Sequence, residues 1–298
     1  MLGEDGMVKD DGIICKISDE HFIATTTTGG AATVLGCMEE YAQTEWPNLN
    51  VYMNSITEQY ATFNISGPKT RNIIEKVFPE VNFSNEAFPF MTFQFHEYED
   101  TPIRILRASF TGEMGYEIYV PSNQALKIWE KIISFGKEFG LMPYGTETMH
   151  LLRAEKGYII VGQDTDGSIT PLDLGLDWMI GKSKKDFLGK RSLIRSDTVR
   201  KDRKQLVGIL PTNKNEKLEE GQHIILDKEI KTPTPMLGHI TSCYQSPTLG
   251  HNFALAVIKN GQSLIGTKAF ASTPELKTIE VEIVEPIFYD KENTKLAS

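Results

Sequence analysis

Short apolar runs over Gly12 to Lys16 and His21 to Thr25 open the chain and predict two strands, and Ala31 to Trp46 follows with helical spacing. Val51 to Gly67 reads as further strands that end at Gly67-Pro68, after which Ile73, Ile74, Val77 and Phe78 recur at helical spacing within Lys69 to Phe78. Phe88 to Val120 is rich in Phe, Tyr, Ile and Arg and breaks at Asp100-Thr101-Pro102 and Thr111-Gly112-Glu113, the pattern of an antiparallel meander. Ala125 to Phe139 places Leu126, Trp129, Ile132, Ile133 and Phe135 largely on one side of a helix. Thr146 can cap a helix through Glu155, with Glu147 in the first turn, where a carboxylate complements the helix dipole. Leu174 to Ile180 reads as a strand. Past residue 203, Gln205 to Leu210, Gly221 to Leu226, Leu237 to Thr241, Asn252 to Val257 and Lys277 to Val284 are five short strand candidates separated by Gly, Pro and Asn turns. They predict a small all-β domain or barrel, and hence a division into domains 1–203 and 204–298.

Composition narrows the function classes. With 298 residues, 40% hydrophobic and 24% charged, the chain is an ordinary globular sequence with enough length for a sizeable core. A net charge of −9 and a pI near 5.3 provide no general positive field for a nucleic-acid backbone. Gly181 to Lys204 nevertheless carries ten Lys or Arg residues, which predicts a basic linker with a short helix rather than a duplex-binding face. No run of about 18 apolar residues exists, and MLGEDGMVKDDG lacks the basic and apolar regions of a secretory leader, so the expectation is a cytoplasmic protein without a membrane anchor. Cys15, Cys37 and Cys243 form no CxxC pair, and the six histidines include no HxH or HxxxH; neither a disulfide scaffold nor a metal site is predicted. The GxGxxG, GxxxxGK[ST], GxSxG and HExxH signatures are absent.

Seven strings in chain order carry a resemblance: Gly6 to Asp11, Phe88 to Met91, Ser109 to Ile118, Leu152 to Gly157, Leu176 to Lys182, Phe187 to Lys190 and Gly238 to Pro247. Together they resemble the folate-binding aminomethyltransferases, the T-protein of the glycine cleavage system and its relatives. Within that family, Thr146 to Asp166 and Thr25 to Ala31 are most similar to the C-terminal part of the α-subunits of heterotetrameric sarcosine oxidases. The resemblance implies an α+β fold, a T-protein-like folate-binding domain of mixed sheets and helices followed by a small C-terminal β-barrel. Family members carry a substantial segment before the Asp-Asp motif, whereas nine residues precede Asp10 here. The expectation is therefore a piece of a longer α-subunit, or a chain completed by a partner, with an unpaired sheet edge and an exposed apolar face.

The implied activity is tetrahydrofolate-dependent one-carbon transfer: capture of a sarcosine-derived iminium or formaldehyde equivalent to give 5,10-methylenetetrahydrofolate. The implied partners are flavin-containing sarcosine oxidase subunits, with a homo-oligomer as the alternative, and oxidation itself needs flavin regions outside this chain. A lipoyl-linked or other small methyl donor, and a non-catalytic folate-binding or assembly module, are the competing readings. By the resemblance, Glu155 in Arg153-Ala-Glu-Lys-Gly157 holds the pterin, whose adjacent N–H and NH2 donors suit a bidentate carboxylate. The alternative for Glu155 is a solvated helix-end residue paired with Arg153 or Lys156. One of Asp10 and Asp11 is implied to be catalytic, beside the one-carbon centre, where a carboxylate steers a cation and assists proton transfer. Lys182 and Lys184 stand where the family places an Arg for the glutamyl tail, which implies a looser hold by point charges. Tyr116, Tyr144 and Trp178 are candidate aromatic walls for the pterin and benzoyl slot, with a core role as the alternative.

Overall fold

The computed structural model describes residues 1–298. Contacts divide the chain into two units, Met1–Asp11 with His150–Lys291, and Gly12–Met149 with Glu292–Ser298.

The second of these units begins with a hairpin of β1 (Ile14–Lys16) and β2 (Phe22–Ala24), followed by helix α1 (Ala31–Thr44). Its main sheet is antiparallel, in the order β3 (Tyr60–Ser66), β6 (Gly115–Pro121), β5 (Thr101–Leu106), β4 (Phe93–Tyr98). Of the strands expected over Val51 to Gly67, only β3 forms. Two helices cover one face: α2 (Thr70–Val77) buries Ile73, Ile74 and Val77, and α3 (Ala125–Gly136) buries Ile128 and Ile132. Period-two alternation on β6 turns Tyr116, Ile118 and Val120 to this core, together with Ile103 and Ile105 of β5. On the opposite side Cys15, Ile23, Leu106, Ala108 and Tyr119 form a smaller cluster. The surface of this unit is unusually apolar between the hairpin and β3. Ile14, Phe22, Met38, Trp46, Leu49, Val51 and Tyr52 are all exposed, and α1 fully buries only Val34.

The other unit holds a closed, six-stranded antiparallel barrel in the order β10 (His251–Lys259), β7 (Lys204–Pro211), β12 (Thr278–Val284), β11 (Lys268–Ser272), β8 (His223–Ile225), β9 (Gly238–Ser246). Six strands form where five were predicted, β11 being the addition. β10 explains the near-continuous apolar run in the sequence. Ala254, Ala256 and Ile258 fill the barrel, while Phe253, Leu255 and Val257 point outward into a second core with Val8, Ala154, Ile159 and Leu174. Gly238 lies so close to β10 that a Cβ there would meet the Val257 carbonyl oxygen at 1.9 Å.

Two local expectations are corrected. Leu174 to Ile180 is not a strand: Leu176 N–H bonds back to Pro171 O at 2.8 Å, Gly175 has φ +70°, and Asp177–Met179 is a single 3-10 turn. Pro171 and Gly175 break extended structure, and the apolar pair Leu174 and Leu176 packs inward from turns. The basic stretch holds one short 3-10 turn, Ser192–Ile194, and is tied down rather than free. Lys190 Nζ donates to the carbonyls of Lys184 and Lys185, and Arg203 donates to Asp173 through Nε (3.0 Å) and Nη2 (2.9 Å).

Candidate functional site

The last turn of helix α4 (Thr146–Glu155) and the residue after it bring three charges into the interior, Arg153, Glu155 and Lys156, all but inaccessible to solvent. Its end is a Schellman closure: Tyr158 N–H bonds Arg153 O (2.9 Å) and Gly157 N–H bonds Ala154 O (3.0 Å). Gly157 has φ +78°, and a Cβ there would meet Pro286 O at 2.5 Å, so both conformation and space demand glycine. Beyond the helix, the Glu155 carbonyl accepts the Phe288 and Tyr289 N–H groups, each at 2.9 Å. The backbone that carries Glu155 is thus fixed from both sides.

The two cations have their own acids. Arg153 Nη1 donates to Asp164 Oδ2 at 2.5 Å, and Asp164 also accepts from Ile160 N–H (2.9 Å), Thr241 Oγ1 (2.5 Å) and Ser242 Oγ (2.9 Å). Lys156 pairs with Asp290, Nζ to Oδ2 3.4 Å. Glu155 is paired with neither Arg153 nor Lys156, which removes the solvated helix-end alternative. At 1% exposure its carboxylate accepts one bond, from the Ser246 hydroxyl at 2.5 Å, and Ser246 Oγ in turn accepts Leu249 N–H at 2.8 Å. Burial raises the Glu155 pKa, opposed by the Ser246 hydrogen bond. A carboxylate placed this way retains acceptor capacity for a ligand's donors. Leu249 and Phe288, both hydrogen-bonded into this pair, line a cavity of about 320 Å³ with Leu210, His251 and Lys291.

One consequence is testable without any ligand. A carboxyl whose folded pKa is raised costs stability as pH climbs through its usual value of 4.5 towards the folded value. Glu155→Gln keeps an oxygen for Ser246 and removes the charge, so thermal unfolding should occur at higher temperature than in the wild type near pH 7. The gap should close at about pH 4, where the unfolded carboxyl also holds its proton. A variant less stable than wild type near pH 7 would show that an unseen cation holds Glu155.

Asp10 and Asp11 separate as an alternating pair does, although the segment is irregular rather than a strand. Val8 bonds to Ile169 O (2.9 Å) and packs in the core beside α4, leaving Asp10 4% exposed and Asp11 open to solvent. Neighbouring atoms that displace part of its hydration, and the Asp10 charge, push the Asp11 pKa upward. Lys182 and Lys184 are exposed on the loop that Lys190 organises. Trp178 is 73% exposed on its 3-10 turn, and Tyr144 is part-exposed with its hydroxyl on Asn64 Oδ1 at 3.1 Å. Tyr116 is 0% exposed, edge-on to Phe83 and Phe88 in the hydrophobic core, which corrects its assignment as a slot wall. Ser246, Phe288 and Tyr289 are the residues around Glu155 that the sequence reading left without a role. Ser246 was visible within the Gly238 to Pro247 string, but nothing local to it points to a glutamate 91 residues away. No group of three His, Cys, Asp or Glu side chains is arranged to hold a metal.

A closed barrel, a layered helix-and-sheet unit and a buried glutamate before a left-handed glycine define a class that comparison identifies. Residues 1–184 match the GCVT N-terminal domain and residues 204–290 the glycine cleavage T-protein C-terminal barrel domain, so the chain belongs to the glycine cleavage T-protein family. It is 46% identical over 99% of its length to the sarcosine oxidase subunit alpha of Corynebacterium strain P-1 and covers 31% of that protein. It is 29% identical to the aminomethyltransferase of Thermoanaerobacter pseudethanolicus, covering 99% of this chain and 76% of that one. The fold matches the crystal structure of glycine cleavage system aminomethyltransferase T from Bartonella henselae with TM-score 0.79, at 21% identity, over 98% of this chain and 75% of the other. The chain thus spans less than a third of the sarcosine oxidase subunits it matches.

Proposed function

We propose that this chain performs tetrahydrofolate-dependent one-carbon transfer as the C-terminal part of a sarcosine oxidase α-type subunit, with residues 1–203 as the folate domain and 204–298 as the barrel domain. The observation that carries this reading is Glu155, the one member of a buried charged triplet left without an ionic partner while Arg153 and Lys156 are neutralised by Asp164 and Asp290. A buried carboxylate supported by a single hydroxyl suits paired N–H donors such as a pterin edge presents. Tetrahydrofolate, when bound, supplies the nitrogen atoms that accept the carbon. Glu155 orients the ring; exposed Lys182 and Lys184 attract the tail carboxylates; Trp178 offers aromatic surface. Asp11 would take the proton that one folate nitrogen loses as it bonds to the carbon and pass it to the departing glycine amine; the proton lost from the second nitrogen on ring closure completes the glycine ammonium, so that no net proton is produced. The donor is proposed to be the iminium or formaldehyde equivalent formed by flavin-containing subunits, in the cytoplasm. No helix of the chain is long and apolar enough to cross a membrane.

Calorimetric titration with 5-formyltetrahydrofolate tests the reading. Micromolar binding by the wild type, weakened in Glu155→Gln by about 1.5–3 kcal/mol as for a hydrogen bond to a charged group, is the expected result. Equal affinities in the two proteins would remove Glu155 from the site, and absence of heat from the folded wild type would overturn folate binding by this chain.

A further inference from the structure

Ser246 closes β9 and is 1% exposed, so its hydroxyl must find its partners within the chain. Two bonds fix it. Leu249 N–H donates to Oγ at 2.8 Å, and Oγ donates to Glu155 Oε1 at 2.5 Å. A main-chain N–H can only donate, so the one hydroxyl proton is left for the carboxylate, and the first bond sets the direction of the second. The turn that carries both residues is closed by Gly250 N–H on Ser246 O at 2.9 Å, with Gly250 at φ +75°. Leu249 also lines the cavity of about 320 Å³ bordered by Phe288, whose own N–H is held by the Glu155 carbonyl.

This arrangement acts on Glu155 in two ways. It commits one lone pair of Oε1 and leaves Oε2 without a donor from the chain, so the carboxylate is oriented yet still able to accept. It also favours the charged form, opposing the rise that burial imposes on the Glu155 pKa. The charged groups around the site do not share that task. Arg153 and Lys156, on either side of Glu155 in sequence, pair with Asp164 and Asp290. Across the adjoining cavity, Glu285 and Lys291 pair with each other, and His251 of β10 holds Asn252 O through Nδ1 at 3.0 Å. Burial and the Ser246 hydroxyl alone set the state of Glu155.

We infer that Ser246 is the positioning residue of the proposed pterin site: its hydroxyl, aimed by Leu249 N–H, holds Oε1 of Glu155 and leaves Oε2 to the ligand. Paired N–H donors need the ionised carboxylate, because a protonated one would set its O–H against an N–H. Ser246 therefore fixes the pH above which the ring is held. The ligand's identity rests on the folate reading; the hold on Glu155 exists without a ligand.

The test is calorimetric titration of the full chain with 5-formyltetrahydrofolate across the pH range in which it stays folded. Ser246→Ala should weaken binding roughly 10- to 100-fold near pH 7 and move the pH at which affinity levels off upward by about 1, as expected for loss of a hydrogen bond to a charged group. Ser246→Thr, which keeps the hydroxyl, should stay close to wild type in both respects. A Ser246→Ala protein with wild-type affinity that levels off at the wild-type pH overturns the inference and leaves the folate reading standing. Failure of the folate reading looks different, since the wild type then gives no heat, and the ligand-free protein still decides the hold on Glu155. Near pH 7, Glu155→Gln should raise the unfolding temperature more in the Ser246→Ala background than in the wild type, because the buried charge has lost its one donor. Leu249 N–H lacks its acceptor in both Ser246→Ala proteins, so that loss cancels. An equal rise in the two backgrounds overturns the inference.

Discussion

Replacing Asp164 by alanine is expected to destabilise the protein by about 3–5 kcal/mol, the range found when one partner of a buried ion pair is removed. Asp164 has no solvent exposure and accepts from four donors, so the substitution strands the Arg153 charge, the Thr241 and Ser242 hydroxyls and the Ile160 N–H together. Arg153 has little else to turn to: Nη1 reaches Tyr158 O, Nη2 reaches Ser242, and Nε is already without a partner. Denaturant unfolding followed by circular dichroism measures the loss, with Asp227→Ala at an exposed pair with Lys231 as a control that should leave the midpoint unchanged. Combining Arg153→Met with Asp164→Leu should recover much of the stability, because the cost lies in the unpaired charge rather than in the missing attraction. An Asp164→Ala midpoint within error of wild type would mean that water reaches Arg153. The pair also anchors the last turn of α4, so the rescued double variant should still bind reduced folate less well if Glu155 needs that anchor.

Elements whose reasons are local were readable from the chain. α4 was predicted over its observed span because its signals, Thr146 at the start and the acidic Glu147 in the first turn, are local. The barrel was anticipated from turn-separated apolar runs, yet β11 was missed. Its sequence, Lys-Ala-Phe-Ala-Ser, has small residues of weak strand preference, and it is held by pairing with β12 and β8. Leu174 to Ile180 misled for the opposite reason: apolar residues at alternate positions fit a strand or an inward-facing turn equally, and the flanking Pro171 and Gly175 decide the matter. Tyr116 carried a signal that could have placed it correctly, since Ile118 and Val120 share its face of β6 at period two. The partners of the charged triplet were not legible. Asp164, Ser246 and Asp290 lie 11, 91 and 134 residues from their respective partners, distances that only the closed barrel and its flanking loops bridge.

The Asp10–Asp11 pair is where sequence stopped at two candidates and burial separates them. Asp10 is 4% exposed and lies two residues from Val8, whose N–H is held by Ile169 O. Asp11 is open to solvent, and a group must be reachable to exchange a proton with a ligand. Its raised pKa, caused by neighbouring atoms that displace part of its hydration and by the Asp10 charge, makes it a better proton acceptor than an ordinary aspartate. Asp11→Asn should therefore lower turnover roughly 10²–10⁴-fold, the contribution typical of a positioned acid–base group, while unfolding no earlier than wild type near pH 7, since the charge it removes is held at a raised pKa. The measurement is 5,10-methylenetetrahydrofolate formed per folded molecule, with sarcosine as donor and the flavin-containing partner supplied. Asp10→Asn should act differently. Removing its charge lowers the Asp11 pKa, so the acid limb of kcat/KM moves to lower pH while much of the maximal rate survives. If instead Asp10→Asn abolishes turnover in folded protein and Asp11→Asn does not, the proton acceptor is the buried residue, and a movement of the 1–11 segment would have to expose it.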